Sequence, residues 1–372
     1  MLLLDGRPLQ SRSSLRGIGT YTRGLISGLV ELGDAGEIGL LLARGAPDPP
    51  EVGLHGVRPA RERIALLHPT LQPAADPFLI ARALRRIRPE LYHGVEFGQP
   101  VVARVPVVVT VHDLIPFLYP RDYPWVRRSR ALARRLLPRA DLVIAVSQAT
   151  ARDVERLTRT PPSRVVVVPE GIAPMFEPAT PAAIDEVRHR LGITRPFLLA
   201  VGAFDPRKRI QLLADVVRRV RSRHDVELVI AGEQGNFLWP VRGALAAAGL
   251  AACSRLAGHV TPEDLVALYT GTSCLVFTSA YEGFGLPPLE AMACGSPAAV
   301  FANSSLVEIA GPASVVQPDG DAAAMADTVC AILDDDSGRA RRAVAGREWT
   351  AKFTWQRAAQ LTFDVYKQAI RR

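Results

Sequence analysis

Two glutamates, Glu282 and Glu290, flank the stretch Gly283-Phe284-Gly285-Leu286-Pro287-Pro288. Glycines at 283 and 285 permit a tight turn whose main-chain N–H groups can come close to a ligand. Pro287 and Pro288 suit the first turn of a helix, and Gly295 suits its C-cap. An anion at such a helix start would meet free N–H donors and the positive end of the helix dipole. Glu290, inside that helix, would hold a carboxylate beside the anion, where it can accept two hydrogen bonds from a diol such as ribose. Glu282, on the loop, is better placed to meet a reacting group. The same residues also fit a proline-started helix with two incidental glutamates.

Cations for such an anion occur in Gly202-Ala203-Phe204-Asp205-Pro206-Arg207-Lys208-Arg209, after an apolar run. Arg207 offers a planar fork and Lys208 a compact charge, a pairing that suits a diphosphate leaving group. A solvated basic turn is the plainer reading. His112-Asp113 follows another apolar run, where a histidine can be structural or can face a ligand. Gly17-Ile18-Gly19-Thr20-Tyr21 precedes a helical pattern but fails as a dinucleotide fingerprint, since Thr22 stands where the third glycine belongs. It reads as a flexible glycine loop or a plain turn. Gly258-His259-Val260, running on to Leu265, fits a strand-to-helix turn with Thr261 as cap and Pro262 in the first turn.

These residues need elements that place them together. Val105–Val111, Leu142–Val146, Val165–Val168, Phe197–Val201, Val226–Ile230 and Cys274–Phe277 are short, β-branched apolar runs. Such runs mark parallel strands covered on both faces. Amphipathic pieces at 20–32, 125–139, 148–158, 208–223, 262–270 and 286–294 alternate with them, which predicts doubly wound α/β layers. In these layers ligands bind at the carboxyl ends of strands, where His112, Ser147, Gly202, Gly232-Glu233 and Glu282 all fall. The proline-interrupted segment 169–196 predicts a linker between two such domains.

Composition removes several classes. With 48% hydrophobic and 22% charged residues the chain is globular, and 372 residues suit two cores better than one. Cys253, Cys274, Cys294 and Cys330 are too dispersed for a zinc site or a disulfide scaffold, which suggests a reducing compartment. Asp5 interrupts Met1-Leu2-Leu3-Leu4 before a secretory signal can form, and no run approaches membrane-spanning length, so a cytoplasmic location is expected. Residues 1–180 carry 24 arginines and 17 acidic residues, a balance of +7 out of the chain's +8. Arg82, Arg85, Arg86 and Arg88, and the basic helix Trp125–Leu137, could be a solvated face or could lie on an anionic membrane. No nucleic-acid reading motif accompanies the charge. Asp334-Asp335-Asp336 sits in a turn-like segment far from the other motifs, and no metal site is expected.

Two glutamates separated by seven residues, preceded by Phe277-Thr278-Ser279 and followed by Gly295-Ser296-Pro297 and Asn303-Ser304-Ser305-Leu306-Val307-Glu308, resemble the retaining glycosyltransferases of family 4, which have the GT-B fold. The resemblance runs along nearly the whole chain and is most specific in its C-terminal half. It implies two Rossmann-like parallel-sheet domains facing across a cleft: residues 1–172 binding acceptor, 190–354 binding donor, and a final helix, 355–372, crossing back to the first domain. It assigns Glu290 to the ribose and Glu282 to the donor sugar. The main chain of Gly283, Phe284, Gly285 and Leu286 would lie along the sugar and diphosphate. His259, Val260 and Leu265 would lie by the nucleobase, and Gly202, Arg207 and Lys208 by the diphosphate. Many members carry arginine directly after the glycine, where this chain has Ala203, so Arg207 takes that part by substitution. His112 matches the active-site histidine and Gly19 the donor-side glycine loop, while Gly17, Tyr21 and Asp113 would face the acceptor.

The implied activity is metal-independent, retaining transfer of a hexose, mannose favoured, from a GDP-, UDP- or dTDP-linked donor with no further cofactor. The acceptor hydroxyl would belong to a glycan, a lipid-linked sugar or a small molecule, with peripheral contact at the inner membrane face as an added expectation. A GT-B epimerase or phosphorylase, or a non-catalytic nucleotide-sugar-binding subunit, stands as the alternative.

Overall fold

The computed structural model describes residues 1–11, 14, 17–33, 37–49, 57–65, 71–232 and 235–372. The chain divides into two compact units, Met1–Ala173 with Phe353–Arg372, and Pro174–Lys352.

The first unit holds seven parallel strands, β1 (Leu2–Asp5), β2 (Ile38–Arg44), β3 (Val57–Ala65), β4 (Leu91–Gly94), β5 (Val107–Val111), β6 (Leu142–Ala145) and β7 (Val165–Val167). Their spatial order is β3-β2-β1-β4-β5-β6-β7, so the direction of winding reverses between β1 and β4. The helices are α1 (Gly17–Leu32), α2 (Gln72–Ile87), the short α3 (Ile115–Leu118), α4 (Arg127–Leu136) and α5 (Gln148–Thr158). Leu3, Val108, Val109, Val111, Val143 and Ile144 are fully buried, as expected for strands sandwiched between helix layers. Ser147 caps α5, its Oγ accepting from Thr150 N at 3.0 Å.

The second unit repeats the plan with α6 (Pro181–Leu191), β8 (Phe197–Val201), α7 (Ile210–Arg221), β9 (Glu227–Ala231), α8 (Leu238–Ala247), β10 (Ser254–Gly258), α9 (Pro262–Gly271), β11 (Cys274–Phe277), α10 (Leu286–Ala293), β12 (Ala298–Phe301), α11 (Leu306–Ile309), β13 (Ser314–Gln317), α12 (Ala322–Asp334) and α13 (Asp336–Thr350). Strand order is β10-β9-β8-β11-β12-β13, with the reversal between β8 and β11. This is the doubly wound order whose switch point opens a crevice at the strands' carboxyl ends.

The boundary between the units falls within the expected linker 169–196, at Ala173/Pro174. The rest of that segment is not plain linker: α6 fills much of it, with Thr180 capping the helix, Pro181 in its first turn and Gly192 closing it in the left-handed conformation. The Asp334–Asp336 turn is a helix junction in which Asp335 Oδ1 accepts from Gly338 N at 2.7 Å and so caps α13.

The last helix, α14 (Trp355–Ile370), belongs to the first unit and packs on α1. Residues 172 and 354 form a parallel bridge, and Ile172 N donates to Phe353 O at 2.9 Å. The contact depends on glycine in α1. A Cβ at Gly24 would fall 2.1 Å from the Trp355 ring, and one at Gly28 would fall 2.5 Å from Trp355 O. Beneath this seam a buried polar chain joins α14 to the sheet. Tyr366 Oη lies 2.6 Å from His93 Nδ1, His93 Nε2 lies 2.8 Å from Thr110 Oγ1, and that hydroxyl meets Tyr21 Oη at 2.9 Å. Gly24→Ala should therefore lower the melting temperature, with an overpacking cost of about 2 kcal/mol or more. A gain, as alanine gives in an unencumbered helix, would show that the seam does not exist.

Candidate functional site

In the second unit the loops after β8 and β11 lie side by side because the strand order reverses between them. The β8 loop makes one tight turn, Pro206–Lys208, with Asp205 Oδ1 accepting from Arg207 N at 3.1 Å. Main-chain bonds stitch it to the β11 loop: Ala280 N donates to Arg207 O at 2.9 Å, and Thr278 Oγ1 to Lys208 O at 2.8 Å.

This stitching brings Arg207, Lys208 and Glu282 together. Arg207 Nη1 donates to Glu282 Oε1 at 2.7 Å, and Lys208 Nζ donates to the same oxygen at 2.6 Å. Arg207 Nη1 also reaches Tyr281 O at 2.6 Å, and Nη2 lies 3.6 Å from Asp205 Oδ2. Lys208 is 8% exposed and its ammonium lies 4.4 Å from the centre of the Phe277 ring. Burial alone would raise the Glu282 carboxyl, but the charges of Lys208 and Arg207, with hydrogen bonds from Lys208 and Ser279, bring it down to about 2. Burial works in the other direction on Lys208, lowering it against the pull of Glu282.

A polar triplet after β12 holds the Glu282 loop in shape. Glu282 N donates to Ser304 Oγ at 2.9 Å, while Ser305 Oγ donates to the carbonyls of Glu282 at 3.0 Å and Phe284 at 2.5 Å. Asn303 Nδ2 bridges Ser279 O and Asp319 Oδ1, and Asp319 is clamped by the Arg209 fork. The supporting role of Asn303, Ser304 and Ser305 was not read from sequence, although three consecutive small polar residues after a buried strand were the available signal. Gly285 opens α10 with φ +110°, which only glycine adopts without strain. Leu286, Pro287 and Pro288 follow in the helix, with Glu290 further along. Glu290 Oε2 accepts from the buried Tyr269 hydroxyl at 2.8 Å, a partner from α9 that sequence reasoning also missed.

The ends of β9 and β10 continue this edge beside β8. Gly202 N donates to Ala231 O at 2.9 Å and Gly232 N to Gly258 O at 2.7 Å, while a Cβ at Gly232 would sit 2.8 Å from Gly202 O. Glu233 lies outside the described residues. His259 is exposed after β10, Val260 is half-buried, and Thr261 caps α9 with Leu265 in its first turn. These residues share the strand-end edge with Lys208 and Glu282.

The strand ends of the first unit differ from expectation. Gly17 and Gly19 lie in α1 itself rather than in a flexible loop. Tyr21 is 1% exposed, bonded to Thr110 and packed edge-on against His112 and Trp355, so it is a core residue and does not face an acceptor. Asp113 Oδ1 accepts from Ile115 N at 2.9 Å and shapes the turn into α3. His112 stands at the end of β5 as expected, with Nδ1 3.0 Å from Glu170 Oε1 and Nε2 2.9 Å from Val95 O. Glu170 was overlooked because it falls in the proline-rich stretch read as linker.

The Glu282 shift fixes a pH dependence. A carboxyl held below its unfolded value contributes stability above that value, about 4.3, and loses it as pH falls toward the folded value. Stability should therefore drop between pH 4.3 and 2, and Glu282→Gln should flatten that part of the profile. The variant should also be less stable at pH 7 by about 3 kcal/mol, since two buried cations lose their partner. Thermal melts across pH check both.

The residues from 183 to 349 match the family of glycosyl transferases group 1, and those from 15 to 176 match glycosyltransferase family 4. The O-antigen chain mannosyltransferase B of Escherichia coli is 31% identical over 82% of this chain and 79% of its own length. The serotype-specific mannosyltransferase WbdA of Escherichia coli is 26% identical over 77% of this chain, which spans only 38% of that longer protein. Among solved structures, sucrose-phosphate synthase from Thermosynechococcus elongatus aligns with a TM-score of 0.79 at 20% identity, covering 99% of this chain and 98% of that one. The two parallel-sheet units are thus those of the GT-B fold, and the chain belongs to the group 1 glycosyltransferases of family 4.

Proposed function

We propose that this protein is a retaining, metal-independent hexosyltransferase that takes mannose from a nucleotide-sugar donor to an acceptor hydroxyl on a glycan, a lipid-linked sugar or a small molecule. The observation that carries the reading is the convergence of Arg207 and Lys208 on one carboxylate oxygen at the switch point of the donor-side sheet. A diphosphate demands positive charge gathered at one point, and here it is gathered beside the start of α10. Mannose is favoured because relatives matched over most of this chain are mannosyltransferases by name.

In this reading Arg207 and Lys208 neutralise the donor diphosphate, displacing Glu282, which turns to the sugar hydroxyls. The main chain from Gly283 to Leu286 lies along sugar and diphosphate, and Gly202 leaves room beside Lys208. Glu290 accepts from the ribose hydroxyls while Tyr269 fixes its orientation. His259, Val260 and Leu265 border the base. The bond from the anomeric carbon to the phosphate oxygen breaks, and the acceptor oxygen bonds to the same face of that carbon. The acceptor proton passes to the departing phosphate oxygen. Charge grows on the leaving group as this happens, and preorganised cations out of water are the strongest means of stabilising it. Neither a cofactor nor a metal enters these steps.

On the first unit, exposed Arg82, Arg85, Arg86 and Arg88 at α2 lie near exposed Arg127, Arg134 and Arg135 of α4, since the two helices pack together. Trp125 and Arg128 have side chains outside the described set. This patch supports peripheral contact with anionic lipid and cytoplasmic work at a membrane face.

Thermal shift across GDP-, UDP- and dTDP-sugars should identify the donor, with GDP-mannose giving the largest shift. Lys208→Ala should lower turnover on the order of 100-fold. Glu290→Ala should weaken donor binding on the order of 10-fold. Glu282→Gln should lose turnover yet bind the nucleoside diphosphate at least as tightly, because its carboxylate no longer competes for the cations. Wild-type donor binding and turnover in the first two variants would sink the reading, product of inverted configuration would remove retention, and loss of activity in chelator would remove metal independence. Replacing the four α2 arginines with glutamine should abolish salt-sensitive sedimentation with anionic vesicles, and wild-type binding by that variant removes the membrane contact.

A further inference from the structure

At the end of β5, the geometry of His112 limits what its ring can do. Nε2 faces the carbonyl oxygen of Val95 at 2.9 Å, and Nδ1 faces Glu170 Oε1 at 3.0 Å. A carbonyl oxygen only accepts, so Nε2 carries a proton. An ionised carboxylate also only accepts, so Nδ1 carries one as well. We propose that Glu170 is a positioning residue that keeps the His112 ring fixed and doubly protonated, so that His112 neither takes nor gives a proton during turnover.

The groups around the ring favour this state. Tyr21 of α1 meets it edge-on with centroids 4.5 Å apart, and its phenol stays neutral, burial and then the Glu170 charge pushing it up. At the end of β4 stand His93 and Glu96. His93 is held to about 3 by burial, then by the His112 charge, so it does not compete for a proton. Glu96 also acts on the ring in favour of its charged form, although burial, then Asp5 and Asp113, raise its own carboxyl against the pull of His112 and Arg7. Burial opposes a charged His112, yet the hydrogen bond and charge of Glu170, the Glu96 charge and the Val95 carbonyl outweigh it and raise the ring above its ordinary value. With side chains of Glu170 and His112 only 6% and 13% exposed, water screens the pair poorly.

The catalytic consequence rests on the glycosyl-transfer reading. With both ring protons committed, the acceptor proton has no resting place at His112 and goes to the departing phosphate oxygen. Glu170→Gln is the isosteric probe, because an amide N–H facing Nδ1 suits a neutral ring bonded only to Val95.

Nitrogen-15 and carbon-bound proton spectra of the histidine-labelled full chain read the ring directly. Both ring nitrogens of His112 should be protonated at pH 7 in the wild type. The midpoint should fall by about 1 pH unit or more in Glu170→Gln and recover in Glu170→Asp. A singly protonated wild-type ring, or a midpoint unmoved by Glu170→Gln, overturns the proposal. With the best donor found, kcat should fall as pH rises through the ring's midpoint, and Glu170→Gln should move that limb to lower pH with little change in donor KM. A kcat that instead rises through the midpoint makes the neutral ring the active form and equally overturns it. If no donor supports turnover, the transfer reading fails while the spectra still decide the state of the ring.

Discussion

One oxygen of Glu282 accepts from both Arg207 and Lys208, and much of the second unit's loop structure exists to make that possible. Each charge would be expensive to bury alone, so none of the three holds its place without the others. The carboxylate and the cations come from loops more than 70 positions apart in sequence. Only the reversal of strand order between β8 and β11 makes those loops neighbours. The main-chain bonds between Arg207 and Ala280, and the Thr278 hydroxyl on Lys208 O, then fix their separation before any side chain is considered. Beneath the carboxylate, Ser304 and Ser305 hold the main chain on both sides of Gly283.

The first unit uses the same strand order with different chemistry at its ends. Its reversal, between β1 and β4, places Asp5 and Arg7 near Tyr92, with Arg7 Nη2 donating to Asp5 Oδ2 at 2.6 Å and Nη1 to Asp76 Oδ1 at 2.9 Å. That pairing balances the charge of Arg7 locally. Among the described residues, one architecture thus gathers Arg207 and Lys208 at one edge and sets Arg7 against two carboxylates at the other. The difference resides in a few strand-end residues, as expected when function is grafted onto a common fold. Within the first unit, α14 docks on α1 through glycines and joins the sheet through the Tyr366–His93–Thr110–Tyr21 chain.

What could be read from the sequence followed from how local each cause was. Buried parallel strands announce themselves as apolar runs, and all six strands marked from such runs lie within a residue or two of their expected bounds. Thr261 with Pro262, and Gly285, carry their conformational reasons within a turn of chain, so their roles were legible, whereas Ser147 was read only as a strand end and is a helix cap. Arg207, Lys208 and Glu282 were legible as a group only through the fold they imply, since nothing local links residue 208 to residue 282. Tyr21 and the glycines before it misled because a glycine pair beside a helix looks the same whether it opens a loop or begins the helix. Its burial depends on Thr110, His112 and Trp355, all remote in sequence. Glu170 was hidden by prolines whose local message of interruption was sound, while its partner lies 58 residues away.

The scarcity of lysine takes on a physical meaning at one position. Of the chain's three lysines, Lys352 and Lys367 are exposed and rest against Trp349 and Phe363, so either could be arginine with little consequence. Lys208 is buried, and its ammonium lies over Phe277 and donates to one oxygen of Glu282 that Arg207 already uses. A guanidinium presents five donors in a fixed fork, whereas an ammonium is a compact point charge. In a protein that meets almost every other cationic requirement with arginine, sharing one carboxylate oxygen with Arg207 suits the compact charge at residue 208. The two cations are thus not alike: Arg207 reaches both Glu282 and the Tyr281 carbonyl through Nη1, and Lys208 delivers a point charge to the same carboxylate oxygen.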